Sequence, residues 1–229
     1  MAINELRTSA ANILHLRQPS AKELDMLREK FGLHPVDLEA ALTIPKHNIC
    51  GQYRDQVHLV LCWPVCPPGT GSWHFDAIHF FIGTDWLILI DHRIPSLDQT
   101  LQSVVASQPS APPLEAVYQI LHALFLDLRA DIERHGFGPQ PDALAKTLSD
   151  VVISIEQLIE AQGEMFRSAH DMLMAWRLLR HQILNLCQSA PQRTIASPQP
   201  ARFVPTLVAG YAALSFLMIV VIRLVINRH

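Results

Sequence analysis

The sequence is short of charge. Asp, Glu, Lys and Arg make up 17% of its 229 residues, against 49% hydrophobic ones, and the formal net charge is -3. A nucleic-acid partner calls for a clustered basic face, and no such cluster stands in the chain, so that class is set aside. Cysteine is scarce too, with Cys50, Cys62, Cys66 and Cys187 only. The spacing of Cys62 and Cys66 in "CWPVC" invites zinc, with His58 or His74 as further ligands. Structural zinc sites draw on four ligands in paired clusters, and no second cysteine pair exists. Thiols buried in a reducing compartment fit these residues better. Signatures of catalysis are also missing: there is no H-E-x-x-H, no G-x-x-x-x-G-K-[ST] and no G-x-S-x-G. "PPGTGSWH" has the glycines of a phosphate loop without its Lys-[ST] ending. The expectation is a protein that is not an enzyme and holds no catalytic cofactor. "MAINELRTSAANILHLRQPS" at the front has no continuous apolar core, so a secretory signal is not expected and the front is placed in the cytoplasm.

What the chain does have is one long apolar run. From Phe203 to Ile222 no charged residue occurs, and a helix needs about 20 such residues to cross a hydrocarbon layer roughly 30 Å thick. Arg223 follows where its stem can reach the headgroups. A transmembrane helix is therefore expected over 203–226, with the lipid bilayer as partner. Before it, 189–202 contains Pro191, Pro198 and Pro200. Proline removes a donor and disfavours helix at the preceding residue, so this stretch reads as a Pro-rich linker.

The remainder reads as a mixed domain followed by helices. Ser20 with Glu23 forms a capping box. Leu24, Leu27 and Phe31 give helical spacing, and Gly32 supplies the stop. Pro35 opens a second short helix whose apolar face continues through Leu38 and Leu42. "QYRDQVHLVLCWPV" alternates as a strand. "FDAIHFFIG" and "DWLILIDH" read as two further strands joined at Gly-Thr-Asp, a hairpin with Gly83 available for positive φ. Leu97, Leu101 and Val104 predict a short helix. Leu114, Val117, Leu121, Leu124 and Leu128 form the stripe of a long helix that stops at Gly136. Another begins near Pro141 and runs past Cys187, long enough to need a hairpin or an oligomeric bundle to cover its stripe.

Twelve histidines raise the question of metal. His74 and His79 are an odd number apart on one strand and face opposite ways, as do the adjacent Asp91 and His92. No ligand role follows for any of them. Asp127, Asp131, Glu133, Asp150, Glu156, Glu160 and Glu164 lie along the helices. They read either as a solvated face or as a weak divalent-cation surface, since hard cations prefer oxygen. No residue is assigned as a metal ligand.

The order of these pieces resembles the CorA family of magnesium and divalent-cation channels. The residues that carry the likeness are Phe31-Gly32-Leu33-His34-Pro35-Val36-Asp37-Leu38-Glu39-Ala40, the strand pair from Phe80 to Leu89, and the helix from Tyr118 to Leu128. They stand in order between about 24 and 135, with "DQVHLVLCWPV" between the first two. "MLMAWRLLRHQILNLC" looks like a later helix of the family. The resemblance implies a cytoplasmic α/β domain, a homopentamer, and magnesium (or Co²⁺ or Ni²⁺) as a transported or regulatory ion. It also implies a Gly-Met-Asn motif at the pore mouth, and here the sequence departs. Ala213-Leu214-Ser215 falls where that motif belongs, no second span follows, and the proline link replaces the family's continuous stalk.

The resulting expectation is an α+β (α/β) cytoplasmic domain, with a sheet containing antiparallel strands, over 1–112. A helical region follows over 113–188, then the linker at 189–202 and one C-terminal transmembrane helix at 203–226. The location expected is the inner cell membrane. Two functions stay open: a CorA-like protein associated with magnesium or other divalent metal ion transport, or a non-conducting, membrane-anchored regulatory or assembly relative. The second would co-assemble with a full-length channel.

Overall fold

The computed structural model describes residues 4–7, 10–43, 47–53, 55–67, 70–165 and 170–195. Six strands form one sheet. They are β1 (Asn4–Arg7), β2 (Asn12–Arg17), β3 (Ile49–Gln52), β4 (Val57–Val65), β5 (His74–Ile82) and β6 (Trp86–Asp91). Their spatial order is β1-β2-β6-β5-β4-β3. β2 lies parallel to β6, with Asn12 opposite Trp86 and Arg17 opposite Asp91, and the other pairings are antiparallel. β5 and β6 are the hairpin expected from the sequence. β1, β2 and β3 were not expected, and neither was the parallel pair.

The helices are α1 (Ala21–Phe31), α2 (Pro35–Ala40), α3 (Leu97–Ser107), α4 (Pro113–His135), α5 (Pro141–Met165) and α6 (His170–Ile195). The start of α1 is the capping box: Ser20 N–H donates to Glu23 Oε2 at 2.8 Å, and Glu23 N–H donates to Ser20 Oγ at 3.3 Å. The bonds that Glu23 Oε2 accepts from the Ser20 N–H and, at 2.8 Å, from the Ser20 hydroxyl hold its carboxyl below the usual range. Gly32 ends the helix in the left-handed region at φ 65, a conformation that costs a residue with a Cβ. Pro35 stands at the start of α2, and Leu38 is buried beneath it, but Leu42 lies past the helix end and is exposed. The expected face of this helix therefore stops at Ala41.

Alternation along the strands sends side chains to two separate cores. Leu14 and Leu16 of β2, Phe81 of β5, and Ile88 and Ile90 of β6 face α1 and α2, where they meet Leu24, Leu27, Leu33 and Leu38. Ile13, Leu59, Leu61, Ile78, Phe80, Leu87 and Leu89 face the other way. They pack under α3 to α6, and every residue of the α4 stripe is buried there. The central strands are apolar on both sides, as a covered sheet requires.

The single helix expected beyond Pro141 is two. α5 and α6 pack side by side, Glu156 pairs with Arg180, and Ser149 hydrogen-bonds Cys187, so the later residue pairs with the earlier one and the helices run antiparallel. The hairpin lets each helix cover the other's apolar stripe. Trp176, Leu179, Ile183 and Cys187 are the buried side of α6. Helical backbone continues through Pro191 to Ile195, into the stretch read as a linker. Residues Met1–Ile195 form one compact unit. Among the described residues no helix is long and apolar enough to cross a membrane. The expected span at 203–226 lies outside the described residues.

Gly83 corrects a second expectation. It is not among the glycines with positive φ. A Cβ built there would meet Trp86 Cε2 at 2.2 Å, so the hairpin needs glycine for room beside the indole ring. Asp85 Oδ1 accepts from Thr84 Oγ1 at 3.4 Å, and its carbonyl accepts the Asn12 N–H at 3.0 Å, tying the turn to β2.

Candidate functional site

Chemistry-bearing side chains gather in two buried knots on opposite faces of the sheet. The first is on the α3 side. Asp91 ends β6 and is fully buried, and its Oδ1 lies 2.6 Å from His15 Nε2 on the neighbouring parallel strand. Its Oδ2 accepts the Ile94 N–H at 2.9 Å and lies 3.4 Å from Arg17 Nε. Asp98 of α3 completes the group, 3.1 Å from His15 Nδ1 and 2.9 Å from Arg17 Nη1. Both nitrogens of His15 thus face carboxylates, and the knot fastens α3 to the ends of β2 and β6. Buried charge persists only when paired and hydrogen-bonded in this way.

The second knot is on the α1–α2 side. Tyr53, just past β3, donates its hydroxyl to Asp37 Oδ2 at 2.5 Å. Asp37 Oδ1 lies 3.1 Å from His58 Nδ1, at ion-pair distance but outside hydrogen-bond angles. His58 Nε2 is 3.4 Å from His79 Nδ1. The ring of His58 is stacked on Phe81 at 4.2 Å and on His79 at 5.6 Å. This is the diagonal neighbour relation of an antiparallel pair, because His58 sits opposite Phe81 in the β4–β5 register. Burial pushes the Asp37 carboxyl up, the nearby His58 ring and the Tyr53 hydroxyl hold it down, and the net effect lowers its pKa. The Asp37 carboxylate raises Tyr53 to about 12. Burial, with His58 and His92 nearby, lowers His79 to about 3. His79 is therefore a neutral imidazole, and its Nε2 has no hydrogen-bond partner among the described residues, like Nε2 of His92.

His74 is exposed at the start of β5 and His79 is buried, so odd spacing did separate them. Asp91 and His92 join different knots. No disulfide joins the four cysteines among the described residues. His58, offered as a zinc ligand beside Cys62 and Cys66, turns instead to Asp37 and His79. Burial raises the Cys50 thiol to about 11 and moves Cys62, Cys66 and Cys187 upward too, which disfavours the thiolate that a nucleophile or metal ligand needs. Among the helix carboxylates, Glu133 pairs with Arg129 at 3.0 Å, Asp131 with Arg134 at 3.0 Å, and Glu156 with Arg180. A solvated, ion-paired face describes these three. Among the described residues no group of three or more His, Cys, Asp or Glu side chains could hold a metal ion. Asp127 and Asp131 line an open cleft of about 450 Å³ with Trp63, Cys66, Ile94 and His135.

The full-length CmaX protein matches with a TM-score of 0.59 at 15% identity, over 80% of this chain and 64% of that one. The soluble domain of CorA from Methanocaldococcus jannaschii matches at 0.55 and 13% identity, over 80% of this chain and 83% of the domain. The complete CorA magnesium transporter from the same organism matches at 0.56 and 14%, over 80% and 66% respectively. The chain thus has the fold of the CorA soluble domain, and it spans about two thirds of the length of the two complete proteins. No family model matches the sequence, and no curated protein matches it.

Proposed function

We propose that the chain is a CorA-like membrane protein associated with magnesium or other divalent metal ion transport. The observation that carries this reading is the likeness to the CorA soluble domain across 83% of that domain. It joins an apolar run from Phe203 to Ile222 that is long enough to span a bilayer. In this reading residues 1–195 face the cytoplasm, the chain sits in the inner cell membrane, and copies assemble around a shared axis as a homopentamer. No catalytic residue is assigned. Magnesium, cobalt or nickel acts as the transported or regulatory ion.

A second reading is favoured by two features of the sequence. Pro191, Pro198 and Pro200 precede the apolar run, and Ala213-Leu214-Ser215 stands where Gly-Met-Asn would bind the hydrated ion. Pro191 falls within α6, and a link bearing Pro198 and Pro200 beyond it would transmit a cytoplasmic rearrangement poorly. The chain would then be a non-conducting regulatory or assembly subunit beside a full-length relative.

Purification of the full chain in detergent, a mass measurement, and Mg²⁺ or Co²⁺ flux into liposomes test both. Flux from this chain alone overturns the regulatory reading. A silent oligomer, or silence relieved only by adding a full-length relative, overturns autonomous conduction. Recovery of the chain entirely in the aqueous fraction overturns both.

A further inference from the structure

The Asp37–His58–His79 series has an unused end. Imidazole protons can be assigned along it from the partners. Asp37 is a carboxylate that accepts from Tyr53, so the His58 nitrogen facing it, Nδ1, carries a hydrogen. Neutral His58 then presents a lone pair on Nε2, and His79 Nδ1 must donate to it across 3.4 Å. That leaves the lone pair of His79 on Nε2, buried, with no hydrogen-bond partner among the described residues. An unpaired acceptor in a fully buried ring is costly in a folded core, and it is the atom of the series best placed to receive a proton.

We propose that His79 and His58 form a tautomer-coupled proton switch, in which a proton taken up at His79 Nε2 is matched by transfer of the His79 Nδ1 proton to His58 Nε2. One proton enters and none is lost. Before uptake His79 is the Nδ1–H tautomer and His58 is neutral. Afterwards His79 is the Nε2–H tautomer, still neutral, and His58 is an imidazolium whose Nδ1–H faces the Asp37 carboxylate. The positive charge comes to rest beside a carboxylate, and the most deeply buried ring never carries it. That division agrees with the strong resistance of His79 to being charged.

The groups facing this pair come from every packed element. Asp37 and the N-cap residue His34 come from α2, and Tyr53 follows β3. His92 follows β6, and the apolar Phe81 ring lies against His58. His34 is stacked on Tyr53 at 5.9 Å and adds a further charge near Asp37. Uptake converts a weak Asp37–His58 contact into a full ion pair, so acid tightens the hold of α2 on the sheet. At the other end His79 Nε2 changes from an unpaired lone pair to an N–H donor.

The test is ring-nitrogen NMR of the full chain in detergent, labelled with ¹⁵N at histidine only and followed between about pH 5 and 8, the range in which an ordinary imidazole titrates. The expected result is that His79 passes from the Nδ1–H to the Nε2–H tautomer, stays neutral, and shares one midpoint with charging of His58. A His79 that keeps one tautomer across that range, or that itself becomes imidazolium, overturns the switch. Absence of any His58 titration in the range overturns it as well. Asp37→Asn should move the shared midpoint down by about one pH unit or more. Tyr53→Phe, which leaves the carboxylate but removes a competing donor, should move it up. Midpoints unmoved by either substitution overturn the role of Asp37 as the group that holds the charge.

Discussion

Asp91 on β6 and His15 on β2 meet at 2.6 Å across the parallel strand pair, and both side chains are buried. The pair does more than join two strands, because the second oxygen of Asp91 holds the Ile94 N–H and so shapes the entry to α3. Removing the carboxylate leaves His15, Arg17 and that N–H facing an apolar gap. Asp91→Ala is expected to cost about 3–5 kcal/mol, the range for breaking a buried pair at one end. Urea denaturation of residues 1–195, followed by circular dichroism, measures it. A loss under about 1 kcal/mol would show that solvent reaches the knot.

Trp176 fixes α6. Its ring is buried, edge-on to Tyr118 of α4 at 5.3 Å, and packed within the larger core. Trp176→Ala should destabilise by about 3–5 kcal/mol. Hydrogen exchange should show α6 opening before the sheet does. Uniform loss of protection in all elements would instead mean that the helical hairpin and the sheet unfold as one.

Acid should weaken the fold through His79. Its folded pKa is about 3, and an ordinary histidine in the unfolded chain titrates near 6.5. Between those values the unfolded chain carries a charged imidazole at this position, whereas the native ring stays neutral. The stabilisation is complete above pH 6.5 and is lost as the pH falls toward 3, by up to about 1.4 kcal/mol per pH unit for one proton. His79→Gln, which cannot titrate, should flatten the profile of stability between pH 4 and 6.5. Equal slopes in the two proteins would remove His79 as the source.

The β5–β6 turn should not accept a methyl group. A Cβ on Gly83 would stand 2.2 Å from the indole of Trp86, whose ring also packs on Phe31 at 5.1 Å. Gly83→Ala should push Trp86 off Phe31 at a cost of about 1–3 kcal/mol. The emission of Trp86, followed in a variant with Trp63, Trp73 and Trp176 replaced by Phe, should shift to the red. An unchanged spectrum would place the slack elsewhere in the turn.

The sequence made local structure legible where one short segment decides it. Ser20, Glu23, Gly32 and Pro35 mark the ends of α1 and α2 through contacts no more than four residues apart. The stripe of α4 needed only a period. β2 was hidden because "NILHLR" is covered on both faces, so neither alternation nor helical spacing stands out. Its partner lies far along the chain, and nothing local announces a parallel pairing. The division of α5 from α6 escaped for a related reason: apolar spacing continues on both sides of 166–169, and only contacts distant in sequence, Glu156 with Arg180 and Ser149 with Cys187, show that the chain has turned back. The two knots were half visible. Odd spacing parted His74 from His79, and pairing β4 with β5 in register would have set His58 diagonally beside His79. Asp37 could not have been added, since its approach depends on how α2 lies over the sheet.

The parallel pairing also sets a timetable for synthesis. Residues 12–17 bond to 86–91 on one side and to β1 on the other, so the first hairpin emerges from the ribosome with an open inner edge. Leu16 can meet α1 and α2 early, but Ile13 stays without its cover until α3 to α6 have followed β6. Closing so wide a loop is slow, and an unpaired apolar edge invites another chain in the interval. That inner edge of β2 closes only when Trp86–Asp91 arrives.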